Sequence, residues 1–160
     1  MPITPLHFGL IPVLNRVTRR RMNEGAFVLA NCVADVPVVL HIYQGELQRL
    51  GGPAMEGTLH SVWTHHFAGV LVMSLALGLL GFKSARWWMG CILGGLTHVA
   101  LDMFVHSDVH PFMPWSEANP FYFDGAYHWF SGVLLLLFVF WLLDSWDAWR
   151  QSRRQVESVN

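Results

Sequence analysis

Thr97-His98-Val99-Ala100-Leu101-Asp102-Met103-Phe104-Val105-His106 lies inside a run, 87–106, that otherwise reads as a membrane-spanning helix. His98, Asp102 and His106 fall at i, i+4 and i+8, so one helix face carries three candidate metal ligands or proton carriers. Ionisable groups at such depth are expensive unless paired, solvated or coordinated. The rest of the chain therefore reads as a scaffold that brings further polar groups to this face.

Composition supports that setting. The 160 residues are 53% hydrophobic and only 13% charged, against about a quarter charged in a soluble domain. With 8 Trp and 11 Phe, this is the profile of a polytopic membrane protein. The formal net charge of −1 argues against a nucleic-acid partner. Cys32 and Cys91 sit in apolar runs without ligand spacing and read as packing residues. The start, Met1-Pro2-Ile3-Thr4, lacks the basic n-region of a cleavable leader.

Four long apolar runs follow a short one. Residues 3–15 contain Pro5, Pro12 and His7 and are too short for a full span. Residues 25–43 hold Asn31 and Asp35 on one face, with Pro37 just beyond. Residues 67–82 follow a Gly-rich loop and the cluster His60-Ser61-Val62-Trp63-Thr64-His65-His66. The run 87–106 has Gly90, Gly94 and Gly95 for close helix approach, and 126–146 is strongly apolar. The aromatic, Pro-rich stretch 107–125 reads as an interfacial cap. The expected fold is all-α: a polytopic helical bundle of four long transmembrane helices plus an N-terminal short or half-inserted helix. Residues 1–146 form a single membrane-embedded domain, and 147–160 a polar cytoplasmic tail.

Basic residues orient it. With four spans, every Lys and Arg except Arg49 falls on one side, in 16–21, 83–86 and 150–154. That side is cytoplasmic. His60, His65, His66, His98, Asp102 and Asp35 then lie toward the outer face, joined by His7 if 3–15 enters from outside. His106, nearest the loop, reads as a cap or gate.

A His/Asp cluster without thiolates suits a divalent ion such as zinc or manganese, one or two in number. His98 and Asp102 hold it from one helix, His60 and His65 from the facing one, and Asp35 can bridge. An ion with an open position activates water for attack on a phosphoester or lipid-like ester at the outer membrane interface. Asp35 and His66 are the acid–base candidates. Thr64 and Thr97, each beside a ligand, read as supporting hydrogen-bond partners.

Thr4-Pro5-Leu6-His7-Phe8-Gly9, the Asp35 helix, His60-Ser61-Val62-Trp63-Thr64-His65 and Gly95-Leu96-Thr97-His98-Val99-Ala100-Leu101-Asp102, then Pro111-Phe112-Met113-Pro114-Trp115, resemble the YdjM-like family of prokaryotic inner-membrane proteins, described as metal-dependent hydrolases. The resemblance implies His60, His65, His98 and Asp102 as ligands, with Asp35 and His7 added. Ser61 stands where the family often has Arg, and Asp35 stands alone where it often has an acidic pair. Three other readings stay open: a haem protein with axial histidines, a proton- or ion-handling protein using the intramembrane carboxylates, and a structural membrane subunit whose histidines are satisfied by hydrogen bonds.

Overall fold

A computed structural model of the chain describes residues 4–49 and 63–157. Among the described residues there are five α-helices and no strand: α1 (Ile11–Val17), α2 (Glu24–Arg49), α3 (Phe67–Leu79), α4 (Ala85–Val105) and α5 (Ala126–Glu157). Short 3-10 helices, Thr4–Leu10 and Trp63–His65, lead into α1 and α3.

Helix α4 is the centre of the bundle. Ser84 caps its start by accepting from the Trp87 N–H at 3.3 Å. Small residues then let two neighbours approach its backbone. A Cβ on Gly94 would stand 2.5 Å from the Phe27 carbonyl oxygen of α2, and one on Gly95 would overlap the Ser74 hydroxyl of α3. The buried face continues through His98, Val99, Asp102 and Met103. Ala34, Val70, Met73 and Val99 form the core between α2, α3 and α4. Phe8, Ile11, Met22 and Phe27 form a second core under the N-terminal segment.

That segment enters as a 3-10 turn laid against α5. A Cβ at Gly9 would stand 2.5 Å from the Phe138 backbone nitrogen, so only glycine permits this seat. The turn aims His7 inward, where it is almost fully buried. Pro12 lies in the first turn of α1, where its missing N–H goes unneeded.

The basic segments gather at one end. The Asn23 N–H donates to the Arg86 carbonyl at 3.0 Å, which joins the loop after α1 to the first turn of α4. Arg16, Arg19 and Arg20 line one cavity together with Asp144 and Ala148 of α5. At the other end the 106–125 loop ties the helix ends together. The Phe67 N–H donates to the Pro111 carbonyl at 2.9 Å, and Asn119 Nδ2 donates to the Met103 and His106 carbonyls at 2.8 and 3.1 Å. Those are orphan carbonyls at the end of α4. The expected cap is therefore a fastening for α3 and α4.

Two helices, not four, are long and apolar enough to cross a membrane among the described residues: Ala85–Val105 and His128–Gln151. Helix α3 is apolar but has 13 residues, about 20 Å against a hydrocarbon core of about 30 Å. It starts at Phe67 as expected but ends at Leu79, short of the expected 82; the Trp63–His65 helix precedes it, with His66 at the N-cap in extended backbone. Helix α2 has the length, at 26 residues, but carries Asn31 and Asp35 in its middle. Helix α5 runs past the expected limit at 146. Trp146 with Arg150 and Trp149 with Arg153 pair at i, i+4, each guanidinium 5.1–5.2 Å from a ring centre, and carry the helix through its polar end.

Candidate metal centre

Four side chains from three parts of the chain meet beside the C-terminal half of α4. Helix α4 supplies His98 and Asp102, one turn apart on its buried face. Helix α2 supplies Asp35, and the 3-10 turn before α3 supplies His65. One ligand atom from each of the four lies within 4.8 Å of the others. His98 Nε2 is 3.2 Å from Asp35 Oδ1 and 3.3 Å from Asp102 Oδ2. His65 Nε2 is 3.4 Å from Asp35 Oδ1 and 3.5 Å from Asp102 Oδ2. The two Nε2 atoms are 3.3 Å apart.

These spacings are those of a coordination shell. Donors about 2.0–2.1 Å from one ion in tetrahedral array stand about 3.3–3.4 Å from each other. Hydrogen bonding alone does not account for them. A neutral imidazole has one N–H, and that N–H points at one acceptor, whereas His98 Nε2 has three polar atoms at nearly equal range.

The far side of each imidazole faces an oxygen that can accept an Nδ1 proton. Asn31 Nδ2 donates to the Phe27 carbonyl at 3.0 Å, which turns Asn31 Oδ1 toward His98 Nδ1 at 3.4 Å. Thr64 Oγ1 lies 3.3 Å from His65 Nδ1. With the protons placed at Nδ1 toward these oxygens, both Nε2 atoms present lone pairs to the centre. Two facing lone pairs beside two carboxylates repel each other, and a divalent cation balances that charge. The donor set fits a metal ion.

His7 stands behind this set. Its Nδ1 lies 3.1 Å from His98 Nδ1 and its Nε2 lies 3.5 Å from Asp102 Oδ1. It touches the outer atoms of two ligands and is not one of the four clustered residues. Of the two threonines, Thr64 lies against a clustered imidazole, whereas Thr97 turns to its own helix. The Thr97 hydroxyl donates to the Leu93 and Gly94 carbonyls of its own helix at 2.6 and 3.2 Å. Asn31, not chosen from sequence as a site residue, was signalled by its i, i+4 spacing from Asp35.

Other expected residues lie elsewhere. His60 falls outside the described residues. His66 is the N-cap of α3 and stands outside the four-residue cluster. Its buried Nε2 has no hydrogen-bond partner among the described residues. Burial pushes its imidazole below the usual range, and His110 and His65 push the same way. His106 caps α4 through its N–H to the Asp102 carbonyl. The centre has one open edge: the Asp35 side chain is 20% exposed, against 5% or less for the other three. Asp35 there borders an open surface depression of about 220 Å³ lined by Cys32, Val36, Val39 and Leu40 of the same helix.

An all-helical bundle with exposed apolar faces around one buried His/Asp cluster defines a membrane protein with a metal-type donor set. The chain belongs to the YdjM inner membrane protein family, whose model matches residues 8–159. No curated protein and no solved structure matches the chain.

Proposed function

We propose that this protein is a zinc-dependent hydrolase of the inner membrane whose substrate is a lipid-like ester or phosphoester. The observation that carries the reading is that the Nε2 atoms of His65 and His98 lie 3.2–3.5 Å from each other and from both carboxylates. Two imidazole nitrogens among few donors favour zinc over manganese, which prefers six oxygen-rich ligands. His65, His98 and Asp102, the three most buried donors, are the permanent ligands. Asp35, from a different helix and at the open edge, is the carboxylate that takes up a proton during hydrolysis. An ion held there supplies Lewis-acid activation of water and substrate. Asn31 and Thr64 hold the two imidazoles in register, and His7 steadies Asp102.

The walls at the open edge favour a lipid. Val36, Val39 and Leu40 beside Asp35 are all exposed to the exterior. Exposed apolar side chains continue over Leu71, Val72 and Leu75 of α3 and Leu135, Leu136 and Val139 of α5. Such a surface suits a bilayer. In this reading α2 and α3 are membrane-embedded together with α4 and α5, and the basic end faces the cytoplasm by the positive-inside rule. The centre then lies toward the outer leaflet. A haem reading loses support, because no gap for a macrocycle separates the two Nε2 atoms at 3.3 Å.

The test is metal content and hydrolysis of a long-chain ester by the purified full chain. His98→Ala and Asp102→Ala are expected to lose both. Asp35→Asn is expected to keep the metal and lose turnover. Unchanged metal in the first two variants would sink the proposal.

A further inference from the structure

At the basic end, about 20 Å along α4 from the His/Asp centre, a second cavity of about 390 Å³ lies between α1 and α5. Arg16, Arg19 and Arg20 line it, with Glu24 and Asp144 as the acidic members. None of the three guanidiniums forms a side-chain hydrogen bond or ion pair among the described residues. The Glu24 carboxylate is already taken by Asn15 Nδ2. Deeper along α5 the wall turns apolar. Pro12, Met22 and Phe140 line it, and Phe140 precedes Ala148 by about 12 Å of helix. The lining combines charged groups with apolar ones.

The backbone here is held in an uncommon form. Helix α1 ends with the Arg19 N–H on the Arg16 carbonyl and the Arg20 N–H on the Asn15 carbonyl, at 3.2 and 2.7 Å. This is the Schellman pattern, whose left-handed residue is usually glycine. Here Arg19 and Arg20 both take left-handed φ, at 52° and 56°, a strained choice for L side chains. Strained backbone of this kind clusters at binding sites. It turns two guanidiniums into the cavity beside Arg16.

We propose that this cavity binds the phosphodiester headgroup of a bilayer phospholipid. The arginines take the phosphate oxygens, and a hydroxyl or ammonium of the headgroup faces Asp144. The acyl chains leave past Phe140, itself exposed to the exterior. Basic pockets between spans at the cytoplasmic surface hold lipid headgroups by this chemistry. The site is independent of the His/Asp centre and stands whether or not that centre is catalytic.

Native mass spectrometry of the detergent-purified full chain tests it, with phosphatidylglycerol, phosphatidylethanolamine and inorganic phosphate as probes. One phospholipid per chain is expected to survive activation. Arg16→Gln with Arg20→Gln is expected to weaken it by about tenfold or more. Arg150→Gln with Arg153→Gln, which removes cations stacked on Trp146 and Trp149, is expected to leave it unchanged. Arg19→Gly is expected to weaken lipid retention while keeping or raising the melting temperature, since glycine relieves the backbone. Equal retention in the Arg16/Arg20 variant, or equal loss in the Arg150/Arg153 variant, would overturn the site. Displacement of the lipid by equimolar inorganic phosphate would overturn its assignment to a lipid.

Discussion

Helices α4 and α5 pass the same test of length and apolarity, yet the fold treats them oppositely. Half of the apolar window of α4 is buried, against 6% of that in α5. Helix α4 spends its buried face on small residues and on two ionisable ligands, so every neighbour is positioned against it. Helix α5 turns Leu135, Leu136, Val139, Leu142 and Leu143 outward. It contributes mainly a backbone seat for the N-terminal turn and hence for His7. Two runs of similar hydropathy thus divide into a specifying helix and a covering one. Which is which depends on the placement of Gly, His and Asp, not on mean apolarity.

The largest effect expected from breaking this contrast is at α4. Asp102→Asn keeps the shape of the side chain but removes the anionic oxygen of a proposed permanent ligand. Bound metal in the purified protein should fall by 100-fold or more, about 3 kcal/mol or above, as read by elemental analysis after dialysis. Gly94→Leu comes next. Its Cβ alone meets the Phe27 carbonyl oxygen at 2.5 Å, and a backbone oxygen cannot rotate away. About 3 kcal/mol of destabilisation is expected in a detergent thermal melt. Asn31→Ala removes the acceptor behind His98 without touching the centre itself. A 10–100-fold loss of metal affinity is expected, with a melt shifted much less than by Gly94→Leu. Equal metal affinity in Asn31→Ala would show that His98 takes its tautomer from His7 instead.

Much of this centre was legible because helix periodicity is a strong constraint. The spacing of His98 and Asp102 fixed them on one face, and the side assigned from the arginines brought Asp35, His65 and His7 to the same level. What periodicity could not reach was local backbone. His65 lies in a 3-10 turn that precedes α3 rather than in a regular helical turn. Thr97 prefers the carbonyls of its own helix, a competition that Ser and Thr always carry and that spacing does not resolve. His66 is adjacent to a ligand in sequence, yet the extended backbone at the α3 cap sends it elsewhere. The end of α1 has no glycine to announce it, because Arg19 occupies the left-handed position. The helical reach of α5 to Glu157 rests on Trp–Arg pairs within a stretch whose polarity alone suggests a tail.

The smallest effects should lie on the covering side. Asn119→Ala removes the donor to two α4 carbonyls and should cost about 1–2 kcal/mol, between the α4 and α5 extremes. Leu136→Ala on α5 should be nearly silent. Its side chain is 72% exposed, so truncation leaves no internal cavity, and an apolar surround is as good a partner for Ala as for Leu. A change within about 0.5 kcal/mol is expected in the same melt, with metal content and lipid retention unaltered. A loss comparable to that of Gly94→Leu would mean that α5 packs against something beyond lipid. A second copy of the chain is the first such partner to test, by measuring the oligomeric state of the wild type against the Leu136→Ala variant.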